Sequence, residues 1–194
     1  MFQQEIDRQQ GYRPGVGLLL IHDGRILLGR GASYLTTFRF EGEDITLEQQ
    51  EAWKFAWDLP QGGIEEGESF ERAFARETCE ELGGDWELKS VPRLFRREQM
   101  DFPVKKDGHT YRGKTYYYHI VNSVGTPEGF TDWVYGPHMD EGPYSYPTPE
   151  FPGGVKFHGH SDARELIMNS RNSRKRQLVL SILDNLRSER WIRP

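Results

Sequence analysis

Between Gly62 and Gly84 the chain sets two glycine pairs around a dense run of glutamates. Gly62-Gly63-Ile64-Glu65-Glu66-Gly67-Glu68 opens the run, and Arg76-Glu77-Thr78-Cys79-Glu80-Glu81-Leu82-Gly83 closes it. Glu77, Glu80 and Glu81 are spaced i, i+3, i+4, which on a helix stacks three carboxylates on one face. Like charges so placed repel unless a cation lies between them, and a divalent metal ion is the simplest such cation. Hard divalent cations take oxygen ligands, and Mg²⁺ shares a few carboxylates with substrate phosphates and waters. The competing reading is a solvent-facing acidic helix with surface ion pairs. Either way the segment must be helical. Ser69 caps it, Phe70, Ala73 and Phe74 form its core-facing stripe, and Gly83-Gly84 stops it near Leu82.

The flanking pattern predicts strands mixed with helices. Val16–Ile21 and Ile26–Gly29 are apolar runs joined through His22-Asp23-Gly24-Arg25, a hairpin signal. Gly31 to Asp44 reads as a loop. Thr46-Leu47-Glu48-Gln49 fits a capping box, predicting a short helix over 47–54. Ala56–Leu59 is a strand stub before Pro60. Leu88–Arg97 and Thr115–Val121 read as strands, the second rich in tyrosine and β-branched residues. Residues 123–154, rich in Gly, Pro and Tyr, form one long loop, a length that is uncommon unless functional or disordered. A last strand at Lys156–His158 and helices at Asp162–Met168 and Arg174–Ser188 complete the chain. Elements in this order predict an α/β fold, a sheet covered by helices on both faces.

Charge is unevenly spread. Residues 41–87 carry 15 Asp/Glu against 3 Lys/Arg, whereas residues 89–114 carry 8 basic against 3 acidic residues. Such a partition suits metal ions in one place and phosphates beside it, or simply two solvated faces. At 194 residues the expected organisation is a single domain, 1–194. The single cysteine, Cys79, leaves no intrachain disulfide, and no disulfide-linked partner is expected. It points away from the carboxylate face by helical spacing and reads as structural. The polar start, Met1 to Gln10, lacks the apolar core of a secretory signal, and no apolar run approaches membrane-spanning length. The expectation is a cytoplasmic protein without a membrane partner.

Written out, Gly62 to Gly84 is G-x5-E-x7-R-E-T-x-E-E-x-G-G, which resembles the Nudix box. Gly62, Glu68, Arg76, Glu77, Glu80, Glu81 and Gly83 stand where that motif has its fixed residues; Thr78 and Gly84 replace aliphatic positions. Gly11-Tyr12-Arg13-Pro14-Gly15-Val16-Gly17, Trp57-Asp58-Leu59-Pro60-Gln61-Gly62-Gly63-Ile64 and Thr148-Pro149-Glu150-Phe151 are similar to segments of one Nudix branch. That branch contains RNA 5′-pyrophosphohydrolases and dinucleoside polyphosphate hydrolases. The likeness runs from about Gly11 to Leu186, interrupted by insertions at about 31–55 and 129–146.

The resemblance implies the Nudix fold, a mixed β-sheet sandwiched between helices (α/β/α) with a loop-helix-loop signature. It implies phosphoanhydride hydrolysis assisted by Mg²⁺ or Mn²⁺. Glu77, Glu80, Glu81 and Glu150 would hold metal, with the Gly62 backbone close by. Glu77, Glu81 and Glu150 are the candidate proton acceptors, Glu77 foremost. Glu68, Arg76 and Gly63 would support the site, Arg76 pairing with Glu80 or Glu68. Arg13, Lys114, Tyr116, Arg174, Lys175 and Arg176 are the expected contacts to substrate, a nucleotide or 5′-phosphorylated RNA. The preferred substrates are 5′-triphosphate RNA and dinucleoside polyphosphates. Nucleoside triphosphates or nucleotide sugars are the alternative, and a non-catalytic nucleotide-binding module is a further one.

Overall fold

The computed structural model describes residues 3–32, 55–82, 91–106, 108–122, 155–168 and 173–194. The helix expected over 47–54, the loop 123–154 with Thr148–Phe151, and the glycine stop at 83–84 lie outside the described residues.

A short helix α1 (Gln3–Gln9) leads into β1 (Tyr12–His22), β2 (Arg25–Ala32), β3 (Phe55–Asp58) and β4 (Gln61–Gly63). Helix α2 (Phe70–Leu82), the long strands β5 (Arg93–Lys106) and β6 (His109–Asn122), β7 (Val155–His158), α3 (His160–Met168) and α4 (Ser173–Ser188) follow. The sheet is mixed, with a central order β3-β2-β1-β6-β5; β4 pairs with β1 and β7 with β2. Only the β1–β6 pairing among these ladders is parallel.

Alternation along β1 builds two cores. Val16, Leu18 and Leu20 face α2, packing with Phe74, Ala73, Leu82, Ile64 and Tyr117. Leu19 and Ile21 face α3 and α4, packing with Ile167, Val179, Ile182, Leu183, Tyr116 and Tyr118. A strand buried on both sides reads as a continuous apolar run, as β1 does. The expected α/β/α sandwich follows directly. Gly15 and Gly17 lie in register with Tyr116 and Tyr118. A Cβ on Gly17 would enter the Tyr118 ring, so these glycines are the room in which the tyrosines lie.

The Asp23-Gly24 turn joins β1 to β2 with both residues at positive φ, 47° and 68°, as a two-residue hairpin of this hand needs. Ser69 caps α2: its Oγ accepts from the Arg72 amide at 3.3 Å. Thr78 is buried, and its hydroxyl donates to the Phe74 carbonyl at 2.7 Å. The polar atom at this aliphatic position is thus satisfied within its own helix.

Several boundaries differ from expectation. The strand expected at Leu88–Arg97 instead runs from Arg93 to Lys106. Its second half is charged because β5 is a sheet edge, where charge and Pro103, inside a register shift between Asp101 and Val104, are tolerated. The partner strand correspondingly starts at His109 rather than Thr115. β2 continues through Gly31 and Ala32, which pair with Ala56 and Phe55, so these two residues belong to the strand and not to the expected loop. Helix α1 and the three-residue β4 carry no sequence period to announce them. Among the described residues no helix is long and apolar enough to cross a membrane.

Candidate active site

β4 pairs with β1 at Gly15–Gly17 and delivers Gly62 and Gly63 to the N-terminal end of that strand. Helix α2 lies across it. A Cβ on Gly62 would overlap the Glu77 carboxylate, so the missing side chain is the cradle in which Glu77 rests. Gly63 likewise leaves room for the Arg13 guanidinium. Together they open a cleft of about 360 Å³. Glu77, Glu80 and Glu81 line it on the α2 side, and Arg13, Lys106, Lys114 and Tyr116 line it on the strand side.

Arg76 organises the acidic wall. Its Nε and Nη2 donate to the two Glu68 oxygens at 3.0 and 2.9 Å. Nη2 also donates to the Gly63 carbonyl at 2.7 Å. Nη1 reaches Glu77 at 2.7 Å and Glu80 at 2.8 Å. Both pairings expected for Arg76 therefore form at once, and Glu77 joins them. Hydrogen bonds from Arg76 hold the Glu68 carboxyl below its ordinary range. Glu77 moves the other way: burial pushes its pKa up, against the pull of Arg76 and with the help of the nearby Glu80 and Glu68 charges. Its side chain is only 8% exposed.

Hard oxygens gathered round a glycine cradle are suitable donors for a small divalent cation. Among the described residues, however, no three acidic, imidazole or thiol groups are already drawn together as a metal cage. Arg76 engages two of the three carboxylates, and Glu150 lies outside the described residues.

The basic wall centres on Lys114. Its Nζ is 3.2 Å from the Tyr116 hydroxyl and lies over that ring at 5.5 Å. Burial, and then the Arg13 and Lys175 charges, lower its pKa to about 8 against the pull of Asp58. An ammonium crowded in this way favours an anion beside it. Lys175 does not line the cleft; it is paired with Asp58 at the end of β3. Arg176 instead donates to the Met168 carbonyl at 3.2 Å. Arg174 begins the same helix, but its side chain is outside the description. Of the two described side chains of the expected triplet, neither lines the cleft, and Lys175 is electrostatically coupled to Lys114 within it. Cys79 is exposed and away from the cleft lining. Lys106 was not singled out from sequence; its only signal is membership of the basic stretch 89–114.

Comparison with known proteins places this geometry in context. The family model described as "NUDIX domain" matches residues 11–133. A protein of Caulobacter vibrioides named RNA pyrophosphohydrolase is 34% identical over 130 residues, covering 62% of this chain and 63% of that protein. One of the same name from Novosphingobium aromaticivorans is 30% identical over 138 residues, covering 63% and 75%. The chain thus spans a little under two thirds of the length of the Caulobacter relative. A Nudix hydrolase structure from Nitrosomonas europaea superposes with a TM-score of 0.51 at 13% identity, covering 94% of this chain and 93% of that one, a likeness of fold.

Proposed function

Because this chain belongs to the Nudix family, we propose that it is a pyrophosphohydrolase cleaving phosphoanhydride bonds in nucleotide-linked polyphosphates. The observation that carries the reading is the division of one cleft between two walls of opposite charge. Glu77, Glu80 and Glu81 face Arg13, Lys106 and Lys114 across it. A polyphosphate chain bound with its scissile bridge at the acidic wall needs both: a cation carrier at the bond, and fixed positive charge for the remaining phosphates.

In this reading Glu77, Glu80, Glu81 and Glu150 would hold a divalent cation, Mg²⁺ or Mn²⁺, with the Gly62 backbone as a further ligand. The cation, when bound, neutralises phosphate charge and lowers the pKa of the attacking water. Arg76 and Glu68 fix the acidic wall, and Gly63 leaves space for Arg13. Glu77 is the preferred proton acceptor, and Glu81 and Glu150 are the other candidates. Arg13 and Lys114 contact phosphates, and Tyr116 offers a ring beside them. The names of the relatives favour 5′-triphosphate RNA, trimmed to 5′-monophosphate RNA and pyrophosphate. Dinucleoside polyphosphates such as diadenosine tetraphosphate fit the same walls. We read residues 1–194 as one functional unit acting in the cytoplasm, where such substrates arise.

The test measures pyrophosphate release from 5′-triphosphate RNA, and ATP with AMP or ADP formed from diadenosine tetraphosphate, with Mg²⁺ or Mn²⁺. Wild type should turn over at least one, and Glu80→Gln should lower kcat by about 10²-fold or more, as loss of a group that stabilises transition-state charge does. Turnover of neither substrate by wild type, or unchanged turnover in Glu80→Gln, defeats the reading.

A further inference from the structure

Helix α1 lies upstream of the family match, which begins at residue 11. Seven residues make a helix that is marginal by itself. Its packing is also unusual, because the side chains it buries are Gln4 and Asp7 rather than apolar ones. Gln4, Asp7 and Arg8 are spaced i, i+3, i+4, so the polar stripe is the docking face. Gln4 Nε2 donates to the Glu68 carbonyl at 3.0 Å. Arg8 donates to the Ile64 carbonyl. Asp7, fully buried, accepts from Arg97 at 2.6 Å and from the Tyr117 hydroxyl, which pins the helix to β5 and β6.

This arrangement is costly as plain packing. Gln4 Oε1 and Arg8 Nη1 are buried with no hydrogen-bond partner among the described residues. What the helix does secure is the turn from Ile64 to Glu68. That turn is gripped from the other side by Arg76, through the Gly63 carbonyl and the Glu68 carboxylate. Glu68 is therefore held at both ends, its carbonyl by Gln4 and its carboxylate by Arg76. Arg76 in turn sets Glu77 and Glu80.

We propose that α1 is a brace for the active cleft, in which Gln4 and Arg8 are positioning residues that fix the 64–68 turn and, through Glu68 and Arg76, the stance of the Glu77 and Glu80 carboxylates. Asp7 is the anchor that lets them act. The inference rests on the reading of those carboxylates as cation ligands.

The experiment titrates the full chain with Mn²⁺, following free Mn²⁺ by electron paramagnetic resonance, alongside kcat, KM and thermal melting. Arg8→Met removes the donors and keeps the stem, and Arg8→Lys restores one donor. Gln4→Met is a milder second probe should Arg8→Met fold poorly. Arg8→Met should weaken Mn²⁺ binding by about tenfold, the low end of what losing a partner behind a metal ligand costs. It should lower kcat with little change in KM, and Arg8→Lys should recover most of both. Gln4→Met should shift Mn²⁺ binding in the same direction by less. If wild type binds Mn²⁺ and the Met variants bind it equally well while only melting earlier, the brace is wrong and α1 is merely structural. If wild type takes up no Mn²⁺, the cation reading fails first and takes the brace with it.

Discussion

Glu77 occupies the space that a side chain on Gly62 would need. Helix α2 and β4 meet so that the glycine and the glutamate are complementary. The obstacle to Gly62→Ala is the end of a flexible side chain rather than backbone, so the substitution displaces the carboxylate and spares the fold. Activity should fall by about 10²-fold or more, the scale expected when a charge-stabilising group is misplaced by an ångström. Unfolding free energy should change by less than about 1 kcal/mol, as for substitutions away from a rigid core. Urea denaturation and turnover on the preferred substrate, measured together, check both halves.

Gly17→Ala should do the reverse. Its Cβ would collide with the Tyr118 ring, which is fully buried and cannot swing into solvent. Overpacking of this kind costs about 1–3 kcal/mol. Tyr118→Leu, which shortens the obstructing side chain, should partly rescue Gly17→Ala in a double-mutant cycle while each single change destabilises.

Lys114 gives the cleft an alkaline limit. With its pKa lowered to about 8, it loses its charge as pH rises past that value, and the basic wall weakens for a phosphate ligand. KM should therefore rise above pH 8. Lys114→Arg, which stays charged, should move that limb upward, and Lys114→Met should remove it at a uniformly higher KM. Folding responds with the opposite sign. Between about 8 and the ordinary lysine value the unfolded chain binds more protons than the folded one, so stability attributable to this group rises with pH. A KM profile for Lys114→Met that keeps the wild-type limb would refute the assignment.

His158 sets an acid limit. Burial, and then the Lys156 charge, lower its pKa to about 4. It packs edge-on against Trp57 at 4.9 Å between ring centroids. The unfolded chain protonates this histidine near pH 6.5, the folded chain only near 4, so its contribution is intact above 6.5 and is lost as pH falls toward 4. The expected slope in that window is about 1.4 kcal/mol per pH unit. His158→Phe, compared by urea denaturation between pH 4.5 and 7, should lack that component.

What was legible in the sequence was whatever repeats or is chemically dense. The carboxylates of α2 announced themselves by spacing, and the cap at Ser69, the hairpin at Asp23-Gly24 and the two-faced strand β1 by residue type. Tyr116, expected as a substrate contact, lines the cleft and is at the same time buried in the core, as are its neighbours Tyr117 and Tyr118. The misses share a physical cause. β5 is an edge whose charges obscure its period, β4 is too short to have one, and α1 buries polar groups where a helix is normally recognised by apolar ones. Proximity across the fold was also hidden. Nothing in the run Arg174-Lys175-Arg176 says that Lys175 will be drawn to Asp58, whereas Lys106 joins the cleft from a strand whose length was underestimated.

The construction of the basic wall also decides how this protein can diversify. Lys114 and Tyr116 stand on β6, whose neighbouring residues are woven into both cores, so changing them disturbs packing as well as recognition. Lys106 lines the same cleft from the exposed terminus of an edge strand, outside both cores. Selection for a new ligand therefore has an inexpensive route through the β5–β6 tip, and sister proteins with altered preferences should differ there first.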